Sequence, residues 1–133
     1  MSPRREAHKI LVVDDEEPIL FAFREFFGAY GYEVDCAREL EEALAMLSSI
    51  RYDLIIADLR LTGSHGAEGL EIIEDVRERA PWTRIILLTA YGSPEVEAEA
   101  QRRGADAFLQ KPTPLPHIAK IVLDLLGSAE NTP

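Results

Sequence analysis

Ile10-Leu11-Val12-Val13-Asp14-Asp15-Glu16-Glu17-Pro18 compresses a strand, a charged strand end and a helix start into one short stretch. Consecutive apolar residues with no polar alternation are what a strand covered on both faces requires, and such strands belong to parallel sheets with helices above and below. Asp14 and Asp15 end the run abruptly. Pro18 has a φ already suited to a helix and no N–H to leave unpaired, so it fits the first turn of the next element. Beyond it, Ile19, Phe23, Phe26, Phe27 and Tyr30 form one apolar stripe, and Gly28 and Gly31 bracket its end.

The same succession recurs along the chain. Glu33–Ala37 reads as a second strand, followed by a helix over 39–50 with Leu40, Ala43, Leu44 and Leu47 inward. Leu54–Asp58 is the third strand; the polar, glycine-rich stretch Leu59–Gly69 reads as a loop, and Leu70, Ile73 and Val76 begin a helix that Pro81 stops. Ile85–Thr89 is the fourth strand. Ser93 then caps a helix from Pro94 to Arg103, with Gly104 suited to its end. Its residues 95–100 alternate like a strand, but alanine and glutamate favour a helix, and the repeat demands one, weakly anchored. Ala107–Lys111 is the fifth strand, and Pro114 or Pro116 opens a last helix carrying Ile118, Ile121, Val122, Leu125 and Leu126. Strands alternating with helices predict one α/β domain, a doubly wound five-stranded parallel sheet, over 9–126. A lead over 1–8 and a disordered tail or start of a linker over 127–133 flank it.

In such a sheet the carboxyl ends of the strands converge on the ligand crevice. Asp14, Asp15, Asp58, Thr89 and Lys111 all stand at such ends. Crowded carboxylates call for a cation, and Mg2+ is the hard divalent ion that oxygen ligands suit. Lysine beside it calls for an anion, so metal, hydroxyl and ammonium together describe a site that handles phosphoryl groups.

Composition narrows the partners. A net charge of -10 over 133 residues opposes direct nucleic-acid binding and anionic membrane surfaces. No apolar run approaches a bilayer span and no signal-peptide core follows Met1–Lys9, so a cytoplasmic protein is expected. Cys36 is the single cysteine, expected as a buried strand thiol. His8 and His117 lack partners at metal spacing, His65 reads as solvated, and Trp82 reads as a packing residue at the end of the sheet opposite the acids.

Four motifs in order, Val12-Val13-Asp14-Asp15-Glu16, Asp58, Leu88-Thr89-Ala90-Tyr91-Gly92 and Phe108-Leu109-Gln110-Lys111-Pro112, make the chain resemble the receiver domain of response regulators in two-component signalling, from about Lys9 to Leu126. The resemblance implies a flavodoxin-like sheet in the order 2-1-3-4-5 flanked by five helices. It implies that Asp58 accepts a phosphoryl group from a histidine kinase or phosphotransfer protein. Asp15, Asp58 and the Arg60 backbone carbonyl would ligate Mg2+, or Mn2+ in its place, with Asp14 holding a metal-bound water. Lys111 and Thr89 would meet phosphoryl oxygens, Phe108 would rotate inward as Thr89 moves, and Arg60 and Tyr91 would tune how long the acyl phosphate survives. The output would be a switched face for an effector protein or domain, or a phosphorylation-dependent homodimer. The chain would be no turnover enzyme, catalysing only its own phosphorylation and dephosphorylation.

Two departures stand out. Thr62 replaces the family's usual proline in a stretch that reads as longer than normal, and Thr113 stands where an aromatic is common. Three other readings compete with this one. An aspartate-nucleophile, metal-dependent phosphatase usually has Asp-x-Asp spacing, whereas Asp14 and Asp15 are adjacent. A flavin or nucleotide site after the first strand would be repelled by Asp14-Asp15-Glu16-Glu17. A degenerate receiver, serving as a constitutive docking module, would usually have lost one of the five key residues.

Overall fold

A computed structural model describes residues 8–58, 66–90 and 92–127, the side chains of 66–69 excepted. Five strands, β1 (Lys9–Val13), β2 (Glu33–Ala37), β3 (Leu54–Asp58), β4 (Arg84–Thr89) and β5 (Ala107–Gln110), alternate with helices α1 (Glu17–Ala29), α2 (Leu40–Ser49), α3 (Gly66–Arg79), α4 (Pro94–Arg103) and α5 (Leu115–Leu126). All strand pairs are parallel, in the order β2-β1-β3-β4-β5. The chain steps from β1 outward to β2 and then back across β1 to β3. The direction of winding therefore reverses between β1 and β3, and a crevice opens there at the strands' carboxyl ends.

Strand side chains alternate between two cores. Leu11, Val13, Ile55, Ala57, Ile85 and Leu87 pack with Ala43, Leu47, Leu70, Ile73, Val76 and Ala100, so α2, α3 and α4 cover one face. Ile10, Val12, Leu54, Ile56, Ile86 and Leu88 pack with Leu20, Phe23, Phe27, Ile118 and Val122, so α1 and α5 cover the other. β1, β3 and β4 are buried along almost their whole length, as their unbroken apolar sequences require.

Several sequence expectations are corrected. α3 begins at Gly66, inside the stretch read as loop up to Gly69. The two glycines lower helix propensity there, and packing of Leu70, Ile73 and Val76 in the core supports the helix that contains them. In α1, Leu20 is buried and Tyr30 is 56% exposed, because the helix ends at Ala29 and Tyr30 falls past the inward stripe. Cys36 is only half-buried, since β2 is an edge strand. Its Sγ accepts from the Arg24 guanidinium at 3.4 Å. His8 does meet a carboxylate, Asp53 at 3.5 Å, a partner far away in sequence. Trp82 is 46% exposed, with the Arg51 guanidinium 4.3 Å from its ring centroid. β5 ends at Gln110, which leaves Lys111 one residue beyond the strand. α4 is a helix, with Ser93 Oγ accepting from the Val96 amide and Gly104 at φ 115° closing it. Except for His8 and Gly127, the lead and the tail lie outside the described residues, as does His65.

Candidate phosphoryl-acceptor site

Asp14 directly follows β1, where its amide donates to the Ala37 carbonyl at 3.0 Å and carries the β1–β2 pairing one residue further. Its Oδ1 accepts from the Glu16 amide at 2.8 Å, which fixes the carboxylate's orientation. Its Oδ2 faces the Lys111 ammonium at 3.3 Å. Although only 2% exposed, Asp14 is therefore satisfied on both oxygens. Asp58 is the last residue of β3, in register with Leu88 of β4, so it lies beside Thr89 across the strand ends. Lys111 donates to Asp58 Oδ2 as well, and so bridges two acids from β1 and β3. The Lys111 amide donates to the Thr89 carbonyl at 2.8 Å, which brings the lysine to this end of the sheet. Thr89 is 1% exposed.

Burial is the main cause that pushes the Asp58 carboxyl up, from an ordinary 3.8 to about 6, and neighbouring Asp14 adds to it against the pull of Lys111. Burial works against the Lys111 ammonium, but Asp58 and Asp14 outweigh it and hold the lysine above its ordinary value. The site thus holds a carboxylate whose charge is disfavoured by burial and a cation shared between two acids.

The carboxylates of Asp14, Asp15 and Glu16 lie within 4.8 Å of one another. Among the described residues this is the acidic trio that converges. Asp58 neighbours this trio through Asp14, with which it shares the Lys111 ammonium. Glu16, at the amino end of α1, adds a third carboxylate beside Asp14 and Asp15. Hard oxygen donors in this number suit a small divalent cation, so Asp14, Asp15, Glu16 and Asp58 fit such an ion.

Phe108 is in register with Leu87 and packs against the same core. Thr89 lies two residues beyond Leu87, on the same face as Phe108. A Cβ at Gly92 would meet the ring of Phe108 at 2.8 Å. Gln110, which the sequence reading did not single out, donates its side-chain amide to the Gly92 carbonyl at 3.1 Å. Arg60 and Tyr91 lie outside the described residues.

The family model of the response regulator receiver domain matches residues 10–123. Over 104 residues the chain is 36% identical to the alginate biosynthesis transcriptional regulatory protein AlgB of Pseudomonas aeruginosa, which covers 78% of this chain and 22% of AlgB. It thus spans about a quarter or less of the first curated relatives, 22% and 26% in two cases. The receiver domain protein (CheY-like) of Methanospirillum hungatei superposes with a TM-score of 0.81 at 28% identity, over 90% of this chain and 93% of that one. The response regulator TrrA of Thermotoga maritima, in complex with Mg(2+)-BeF, superposes with a TM-score of 0.74 at 35% identity, over 90% and 99%. With its doubly wound sheet, acid-lysine site and matched sequence, the chain belongs to the response regulator receiver domain family.

Proposed function

We propose that Asp58 accepts a phosphoryl group in the presence of a divalent cation, Mg2+ first, and that this changes a protein-binding face. The observation that carries the reading is the Lys111 ammonium bridging Asp58 and Asp14 at the crevice. A phosphoryl group on Asp58 would meet that ammonium at once. Carboxylate needs no deprotonation to attack, so the chain's task is to position the donor and neutralise charge. An Asp58 oxygen forms the O–P bond as the P–N bond to a donor phosphohistidine breaks, and the released imidazole takes up a proton. Asp15, Asp58 and the Arg60 carbonyl would hold the ion, with Asp14 and Glu16 beside it. When bound, the ion neutralises charge on the transferring phosphoryl oxygens.

Lys111 then leaves Asp14 for a phosphoryl oxygen, and the Thr89 hydroxyl donates to another. Thr89 and Phe108 share a face, so movement of the hydroxyl opens space for the ring and shifts the neighbouring β4–α4 segment. The donor would be a histidine kinase or phosphotransfer protein. The receiver of the signal would be an effector domain or protein, or a second copy of the chain, in the cytoplasm. No helix among the described residues is long and apolar enough to cross a membrane.

The direct experiment is intact-mass spectrometry after incubation with acetyl phosphate and Mg2+. One phosphoryl group is expected on the wild type and none on Asp58→Asn. A peptide map placing it on Asp14 or Asp53 would overturn the assignment.

A further inference from the structure

α4 is held very unequally at its two ends. At the carboxyl end, Arg77 of α3 donates from Nε and Nη2 to the Gly104 carbonyl, at 3.2 and 2.7 Å. Nη2 also reaches Asp106 Oδ2 at 2.8 Å, and Nη1 reaches the carbonyls of Thr83 at 2.5 Å and Pro81 at 3.4 Å. These bonds engage all the N–H donors that a guanidinium has. Asp106 is fixed in turn, its Oδ2 accepting from the Ile85 amide at 2.8 Å and its own amide donating to the Ile85 carbonyl at 2.8 Å. Arg103 of α4 adds an ion pair to Glu74 of α3 at 3.5 Å. The approach is close enough that a Cβ on Gly104 would stand 3.0 Å from Arg77 Nε, and the φ of 115° also favours glycine.

The amino end is held more lightly. Ser93 caps α4 with its own side chain, a bond within the helix that ties it to nothing else. Among the described residues, the exposed Gln110–Gly92 hydrogen bond, the approach of the Phe108 ring to Gly92 and the half-buried Val96 join this end to the body. Ala100, toward the carboxyl end, is the fully buried residue of the helix.

We infer that Arg77 is a positioning residue that makes the carboxyl end of α4 a fixed hinge, so that a displacement at Gly92 and Ser93 swings the amino half of the helix about Gly104. What drives the displacement rests on the reading of Asp58 above; the hinge belongs to the resting fold. Because Arg77 joins the ends of α3 and α4 to the starts of β4 and β5, motion at the amino end is kept from dissipating into the sheet. Lysine keeps the charge but cannot bond several acceptors in one plane, so the fork is what matters.

Residue-resolved amide exchange on the unliganded chain tests the hinge without any phosphoryl chemistry. Gly104 and Ala105, whose amides donate to the Ala100 carbonyl, should exchange about tenfold or more slowly than Glu97, whose amide donates to Ser93, after correction for intrinsic rates. In Arg77→Met and in Arg77→Lys that gradient should vanish while the amides of Leu11 and Ile55 stay protected. Equal protection at the two ends of wild-type α4, or full protection at Gly104 in Arg77→Lys, overturns the hinge. Adding Mg2+ and beryllofluoride, as a phosphoryl mimic, should then change exchange at Glu97 and Ala98 but not at Gly104 in the wild type, and along all of α4 in Arg77→Met. A change largest at Gly104 in the wild type counts against the hinge. A wild-type gradient combined with no response anywhere to the mimic supports the hinge and removes the Asp58 reading.

Discussion

Replacing Asp58 by asparagine removes a carboxylate that the fold holds at a cost. Its pKa is pushed from 3.8 to about 6, and at about 1.4 kcal/mol per pH unit the ionised group is disfavoured by about 3 kcal/mol. The side chain is 11% exposed, so water screens little of this, and about 2 kcal/mol is a fair expectation after relaxation of the neighbours. Asp58→Asn should therefore be more stable than the wild type by about 2 kcal/mol at pH 7.5 in EDTA, or about 5–10 °C in Tm for a domain of this size. The sign of the pH dependence follows. A raised folded-state pKa means that the folded chain binds more protons than the unfolded chain between about pH 4 and pH 6. The wild type gains stability from this group as pH falls through that window, and the variant does not, so the gap should close near pH 4. Mg2+ should reverse the order at neutral pH, because binding to the folded wild type adds about 2.7 kcal/mol at a hundredfold excess over Kd. Thermal melts of both proteins against pH and Mg2+ provide the test. A variant that melts at or below the wild type in EDTA at pH 7.5, or a gap that persists at pH 4, would refute the reasoning.

Lys111→Met should bind Mg2+ several-fold more tightly than the wild type, because the ammonium that bridges Asp58 and Asp14 no longer competes with the ion; yet it should take up phosphate from acetyl phosphate far more slowly, and titration calorimetry with intact-mass time courses separates the two effects. Gly92→Ala should destabilise the chain by about 1 kcal/mol, since its Cβ would press on the Phe108 ring at 2.8 Å, and urea unfolding together with ring chemical shifts would register it. Arg60→Asn and Tyr91→Ala, singly and together, should each shorten the life of the acyl phosphate if these side chains screen it from in-line water, and radiolabel decay that is unchanged in all three variants would assign the lifetime to other groups.

The framework was legible because its signals are local. Ile10–Val13, Leu54–Ala57 and Ile85–Leu88 are apolar without interruption, and such runs have few uses other than as central strands of a covered sheet. Ser93, Pro94 and Gly104 marked the two ends of α4 through cap chemistry and the left-handed φ, even though the alternation over 95–100 suggested a strand. The start of α3 was not legible, because Gly66 and Gly69 lower helix propensity while tertiary packing on Leu70, Ile73 and Val76 supports the helix that contains them. Cys36 was read as buried because alternation within β2 indicates a face but not whether the strand lies at the sheet's edge.

By itself the sequence placed Asp14, Asp15, Asp58, Thr89 and Lys111 at the carboxyl ends of apolar runs, and a parallel sheet brings such ends together regardless of packing detail. Tertiary structure decided how they pair. That Lys111 bridges Asp58 and Asp14, and that Arg77 clamps Gly104 and Asp106, depend on side chains from different elements meeting at a few ångströms. Periodicity assigns a residue to a face and an end of its element. Strand register, helix docking and local dielectric set its distance to a partner and its charge, and these quantities exist only once the whole sheet has closed.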